Sequence, residues 1–345
     1  TLSLHDALPI CEKLFKAAWA RNQQGDNNDT REKLLKLVAL RARQAALLGY
    51  EDYASWSMAD QMAKTPKAAF DFMREIAPAA RARAESELAD IQALIDSKSA
   101  SFEAQAWDWL FYSEQVRRDK YAIDEAQIKP WFALDRVLID GVFWSASQLF
   151  GIQFIERFDL PVYHPDVRVW EIFDANGEGM ALFYGDFFAR DSKSGGAWMD
   201  NFVPQSTLLG TRPVIYNVCN YQKPAAGKSA LISWDDVITL FHEFGHALHG
   251  LFANQRYATL SGTSTPRDFV EFPSQINEHW ASHPDVFAHY ARHYETGEPM
   301  PEALRQSLFR ASKFNKGYDM TELLSAALLD MNWHSLNVNA LPQNV

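Results

Sequence analysis

His242-Glu243-Phe244-Gly245-His246 is the stretch on which the reading of this chain turns. It has the form H-E-x-x-H within a segment of helical patterning. Two histidines four apart on an α-helix differ by about 40° in azimuth and about 6 Å along the axis, so both imidazoles leave one face. Neutral imidazole nitrogens are good zinc ligands. Glu243 lies at the border of that face, where its carboxylate reaches a metal-bound water without ligating the metal. That is the position of the general base in a metallopeptidase site.

The flanking residues support the helix. Ser233, with Asp236 three residues later, predicts a capping-box start. Val237, Ile238, Leu240, Phe241, Phe244, Ala247, Leu248 and Leu251 then form a broad apolar face at helical spacing, and Gly250 is a plausible terminator. A solitary buried histidine is ordinarily a packed core residue. A pair at i, i+4 with a glutamate between them, on a capped apolar helix, is hard to explain by packing alone.

A catalytic zinc site keeps three protein ligands and one water, so a third ligand is needed. A continuation with Gly and His three and six residues after His246 fails, because His249 and Phe252 stand there. A glutamate from a following helix is then expected. Glu271 and Glu278 are both candidates, and being seven apart they share a helix face. Spacing alone does not choose between them. His249 also falls on the ligand face. As a fourth ligand it would close the site and leave Glu243 no water to act on, so a role facing substrate or supporting a ligand is expected, against the plainer reading of a packed histidine.

The chain has 345 residues, enough for one large or two modest domains. Its net charge of −11 and lack of a basic run argue against a nucleic-acid partner. Aromatic residues make up 13%, which fits large buried faces or a substrate channel. With only Cys11 and Cys219, a disulfide framework is excluded and a reducing compartment, the cytoplasm, is expected. No apolar run reaches the ~20 residues that span a bilayer, so no membrane role is expected. Thr1 to Cys11 show no cationic segment followed by a long apolar one. Residues 1–11 resemble translated adapter sequence and are read as a non-native leader, with no function given to His5 or Cys11.

The expected organisation is mainly α. Residues 12–160 read as a helical region, with helices over 12–48, 54–95 broken at Thr65-Pro66, 102–118, and 134–150 after Pro130. From 161 to 232 a small β-sheet is expected beside the H-E-x-x-H helix. Val167–Phe173 and Ala181–Phe188 flank the turn Asp174-Ala175-Asn176-Gly177 as a hairpin, and Ser194–Met199 and Pro213–Val218 are further strands. Residues 233–345 form the zinc-binding helical core. A sheet so placed offers an edge on which an extended peptide can lie.

The residues also carry a family likeness. Phe241 to His249, Ser261-Gly262-Thr263, and Pro266-Arg-Asp-Phe-Val-Glu271-Phe-Pro-Ser-Gln275 together resemble the thimet oligopeptidase and neurolysin-type zinc metallopeptidases, above all their bacterial peptidyl-dipeptidase branch. Supporting stretches are Gly185–Arg190, Gly195–Met199 and Leu324–His334. The likeness runs from about residue 12 to 345. It implies a neurolysin-like helical fold, one Zn2+ held by His242, His246 and Glu271, and Glu243 as general base. Glu278 and Gln275 then support the ligands. Gly196, Ala197, Gly262, Thr263 and His249 face a short peptide substrate; release of C-terminal dipeptides is expected, with cleavage of internal bonds or a zinc-binding but inactive chain as the alternatives. The resemblance also implies a longer protein at both ends, monomeric when whole. A carboxyl-terminal Gly- and Tyr-rich loop that assists the oxyanion would lie outside this chain, which is therefore expected to be feebly active.

Overall fold

Side-chain caps set where some of the helices begin. Asp52 accepts from the Ser55 N–H at 2.7 Å to open one, and Thr65 accepts from Ala68 N–H at 3.2 Å, just before Pro66, to open the longest. The computed structural model describes residues 4–98, 102–121 and 125–342; residues 1–3 of the expected leader lie outside them. The helices run α1 (Leu4–Trp19), α2 (Arg31–Leu47), α3 (Tyr53–Met58), α4 (Pro66–Ser97), α5 (Trp109–Tyr121), α6 (Glu125–Ile128), α7 (Leu134–Arg136) and α8 (Trp144–Phe150). Strands β1 (Gln153–Glu156), β2 (Arg168–Phe173), β3 (Gly179–Phe188), β4 (Trp198–Val203) and β5 (Val214–Tyr221) follow. Then come α9 (Trp234–Leu251), α10 (Arg267–Ser282), α11 (Pro284–Tyr290), α12 (Glu302–Ala311) and α13 (Lys316–His334). The mainly α fold with a small sheet is as expected.

Three local expectations need correction. The helix over 12–48 is interrupted between α1 and α2, where the Asp29 carboxylate accepts from the N–H groups of Gly25 and Arg31 and turns the chain. Strand β1 falls inside the stretch expected to be helical; its four residues pair antiparallel with β2. The strand expected from Ser194 begins only at Trp198, because Gly196 adopts φ +94° and diverts the backbone from the ladder.

The chain divides into two compact units, Thr1–Ala122 with Arg310–Val345, and Ile123–Phe309. In the first, α4 packs along α13 through Met73, Ala80, Leu324 and Met331. Buried Glu87 on α4 accepts from the N–H groups of Gly317 and Tyr318, so it caps the first turn of α13.

The second unit holds the sheet, in the order β1-β2-β3-β5-β4. The β2–β3 hairpin closes at Asp174, whose Oδ1 accepts from the N–H groups of Asn176 and Glu178. β3 pairs parallel with β5, and β4 adds antiparallel as an edge strand. Helix α9 lies against the β4–β5 side. Phe244, inside the H-E-x-x-H motif, anchors it: its ring lies 5.4 Å from Phe143, 5.9 Å from Phe154 and 5.3 Å from Phe183. The high aromatic content thus serves the seat of this helix. Between α7 and α8 the helix widens to a π-helical stretch, Val137–Phe143, in which a Cβ at Gly141 would come 3.0 Å from the Tyr290 ring.

Candidate metal centre

The site begins with the capping of α9. Ser233 Oγ accepts from Asp236 N–H at 3.0 Å while the Asp236 carboxylate accepts from Ser233 N–H at 2.9 Å, the reciprocal box expected from the sequence. Tyr221 Oη donates to Asp236 O, tying this end to the last strand. The expected apolar positions are buried, except Ile238, which is half-buried. The helix runs one residue past Gly250, to Leu251. Gly250 instead lets the sheet approach: a Cβ there would meet Ile215 Cδ1 and Met199 Cε, each at 2.7 Å.

Gly245 brings the second helix in. A Cβ on it would stand 2.6 Å from Ser274 Cα and 2.8 Å from Pro273 O, so the backbones of α9 and α10 touch here. Asn277 Nδ2 donates to Phe241 O at 2.7 Å and locks the pair in register. This close approach delivers Glu271. Its Oε2 lies 3.1 Å from both His242 Nε2 and His246 Nε2, and the three atoms form a possible metal-ligand set. Buried Ser274 donates to the same Oε2 at 3.0 Å.

Glu278 does something different. Its Oε1 is 2.7 Å from His242 Nδ1, on the far side of that ring from the cluster. A carboxylate there holds the proton on Nδ1 and leaves the Nε2 lone pair facing inward. The donor set therefore brings together a lone pair of His242, His246, and a carboxylate oxygen. The His242 lone pair and the Glu271 oxygen are acceptors 3.1 Å apart that repel one another unless a cation sits between them, and His246 Nε2 stands 3.1 Å from the same oxygen, so the residues fit a metal ion. Burial lowers the pKa of His246, which favours the neutral ligand form, against a smaller upward pull from Glu271.

Glu243 points into the same space and is only 6% exposed. Burial pushes its carboxyl up to about 7, with His242 pulling it down and the Glu271 charge adding to the rise. Its Oε2 is buried without a protein partner. A buried carboxyl with a free oxygen beside these three groups is suited to accept and return a proton.

A cleft of about 490 Å³ opens over these groups, lined on the helical side by His242, Glu243, His246, Val270 and Glu271 and on the other by Ala197 to Asp200 and Thr263. Ala197 and Thr263, expected to meet substrate, are therefore at the cleft. Gly196 lies just before its wall, in the turn ahead of β4. Gly262 backs onto the helix, where a Cβ would come 3.2 Å from Gly250 Cα. His249 is half-buried, with its ring 6.2 Å from that of Phe269 on α10, and is not among the residues that line the cleft. Gln275 is exposed on α10. Sequence reading missed Ser274, Asn277 and Gly245. Small and amide residues at a helix crossing carry no periodic signal, although a glycine in the middle of a strongly apolar helix marks a close approach.

Residues 10–344 match the model of Peptidase family M3, and the chain belongs to that family. It is 71% identical over 334 residues to the dipeptidyl carboxypeptidase of Escherichia coli (strain K12), covering 97% of this chain and 49% of that protein. A dipeptidyl carboxypeptidase of Salmonella typhimurium is 69% identical over the same share. Oligopeptidase A of Escherichia coli is 38% identical over 352 residues, 97% of this chain and 52% of the relative. The chain spans about half the length of the curated relatives it matches. Among the described residues no helix is long and apolar enough to cross a membrane.

Proposed function

We propose that the chain carries the metal-binding core of a zinc metallopeptidase that acts on short peptides and releases C-terminal dipeptides. The observation that carries this is the convergence of His242 Nε2, His246 Nε2 and Glu271 Oε2 beside buried Glu243. Dipeptide release is favoured over internal cleavage by the higher identity to the dipeptidyl carboxypeptidases than to oligopeptidase A.

His242, His246 and Glu271 would hold the ion, with Glu278 orienting His242 and Ser274 orienting Glu271. When bound, zinc supplies a Lewis acid that acidifies water and polarises a carbonyl. Glu243 takes the proton from the attacking water and returns it to the leaving amine. The free edge of β4 offers backbone N–H and C=O groups to an extended peptide, which sets the scissile bond above Glu243. Zinc rather than a harder ion is favoured by two imidazoles in the set. The two free cysteines support a cytoplasmic setting, and the acidic net charge supports a peptide rather than a nucleic-acid partner. The reading takes the whole protein to be a monomer.

The test is Glu243→Gln in the zinc-loaded chain, assayed on a quenched fluorescent peptide. Zinc should be retained while turnover falls by roughly 10²–10⁴, since the amide cannot accept the proton. Undiminished turnover would remove Glu243 as the base.

A further inference from the structure

The strand wall of the cleft is not held by its ladder alone. β4 pairs with β5 from Trp198, opposite Val218, onward. Continued by two residues, that register would set Gly196 opposite Asn220. Gly196, at φ +94°, has left the extended conformation, and the Asn220 side chain takes over: its Nδ2 donates to Gly196 O at 2.7 Å and to Ser194 O at 2.8 Å.

One residue earlier lies a second fastening. The parallel β3–β5 ladder shifts register between Asp186 and Phe188, displacing backbone carbonyls from regular pairing. The Lys193 ammonium is inserted at that shift, its side chain 4% exposed. It donates to Asp186 O at 3.1 Å, Phe188 O at 2.8 Å and Cys219 O. Asp186 Oδ1, 3.1 Å away, balances its charge, and Arg190 binds that carboxylate through two hydrogen bonds of 2.7 Å. A buried ammonium is tolerated only with partners of this number and sign.

We infer that Lys193 and Asn220 are positioning residues for peptide substrate: together they pin Ser194–Ala197 and so fix where the strand wall of the cleft begins. The inference rests on the cleft being a peptide site. It places neither residue on the reacting atoms. Lys193 anchors the turn to the sheet, and Asn220 carries the constraint up to Ala197, which lines the cleft.

The experiment uses the zinc-loaded full chain with Asn220→Ala and Lys193→Met. Amide exchange across residues 194–203, zinc content, and KM and kcat on a quenched fluorescent peptide are measured. Asn220→Ala should speed exchange at 194–198 by about tenfold, the equivalent of two ordinary hydrogen bonds, and raise KM by a similar factor. Zinc content and kcat should hold. Lys193→Met should do the same more strongly, and if that variant fails to fold, the half-buried Asn220 variant still decides. Unchanged exchange in Asn220→Ala overturns the inference, as does faster exchange with an unchanged KM or an equal fall in kcat. A wild-type chain that holds zinc yet turns over no peptide breaks the proposed activity of this chain instead, and the exchange data still judge the two fastenings.

Discussion

The helical wall of the cleft and its strand wall differ in what holds them in place. On the helical side α9 and α10 touch backbone to backbone at Gly245, a bond from Asn277 holds their register, and bonds from Ser274 and Glu278 orient Glu271 and His242. Nearly all of that is local to two helices. On the strand side an edge strand is entered through a glycine-bearing turn, and the fastening comes from a charge cluster buried at a ladder shift. A metal site demands atoms fixed to tenths of an ångström, which helix packing supplies. A peptide-binding edge demands accessible backbone groups, so its support must come from behind.

If the two walls are independent, substitutions should separate them. The largest effect is expected from Asp186→Asn, which leaves the buried Lys193 charge without its counter-ion. Breaking such a pair costs roughly 3–5 kcal/mol. Stability in denaturant should fall by about that much, while refolded chains keep their zinc. The loss should depend on pH. Burial by itself raises the Asp186 carboxyl, but hydrogen bonds from Arg190, Lys193 and Tyr163 override it and hold the pKa below the ordinary value. Its folded pKa is thus depressed, so its contribution is complete above the unfolded value of about 3.9 and is lost as pH falls through the lower folded one. The gap in Tm between wild type and variant should be wide at neutral pH and narrow below about pH 4. A gap that does not narrow would mean the carboxylate charge is not what the wall relies on.

Gly245→Ala acts on the other wall. The added methyl meets backbone atoms of α10, and overpacking of this kind costs about 1–3 kcal/mol. Because the strain lies between the ligand-bearing helices, zinc affinity should fall with stability. Unchanged affinity, read by chelator competition, would show that α10 does not need this contact to deliver Glu271. Smaller in stability, but informative, is Glu278→Ala. Loss of the partner behind a ligand costs roughly 10–100-fold in metal affinity, and Tm of the metal-free chain should barely move. A loss as large as that in Glu271→Ala would make Glu278 a ligand instead.

These differences also explain what the sequence disclosed. The cap at Ser233, the apolar face of α9 and the Asp174–Gly177 hairpin are written in neighbouring residues, so they could be read directly. Residue spacing left Glu271 and Glu278 equivalent, and geometry separates them because one reaches the Nε2 side of His242 and the other its Nδ1 side. The parallel β3–β5 pairing, the role of Lys193 and the hydrogen bond from Ser274 depend on residues brought together across the chain, and no periodicity reports them. β1 was missed because four residues following a helix are too short to show alternation. Ser194–Ala197 reads as strand in the sequence because its glycines hide a change of backbone direction.

Metal analysis of the purified chain tests the central claim most directly. One zinc per chain is expected in the wild type and in Glu243→Gln, with the metal lost from His246→Ala and from Glu271→Ala. Equal zinc in wild type and His246→Ala would contradict the account.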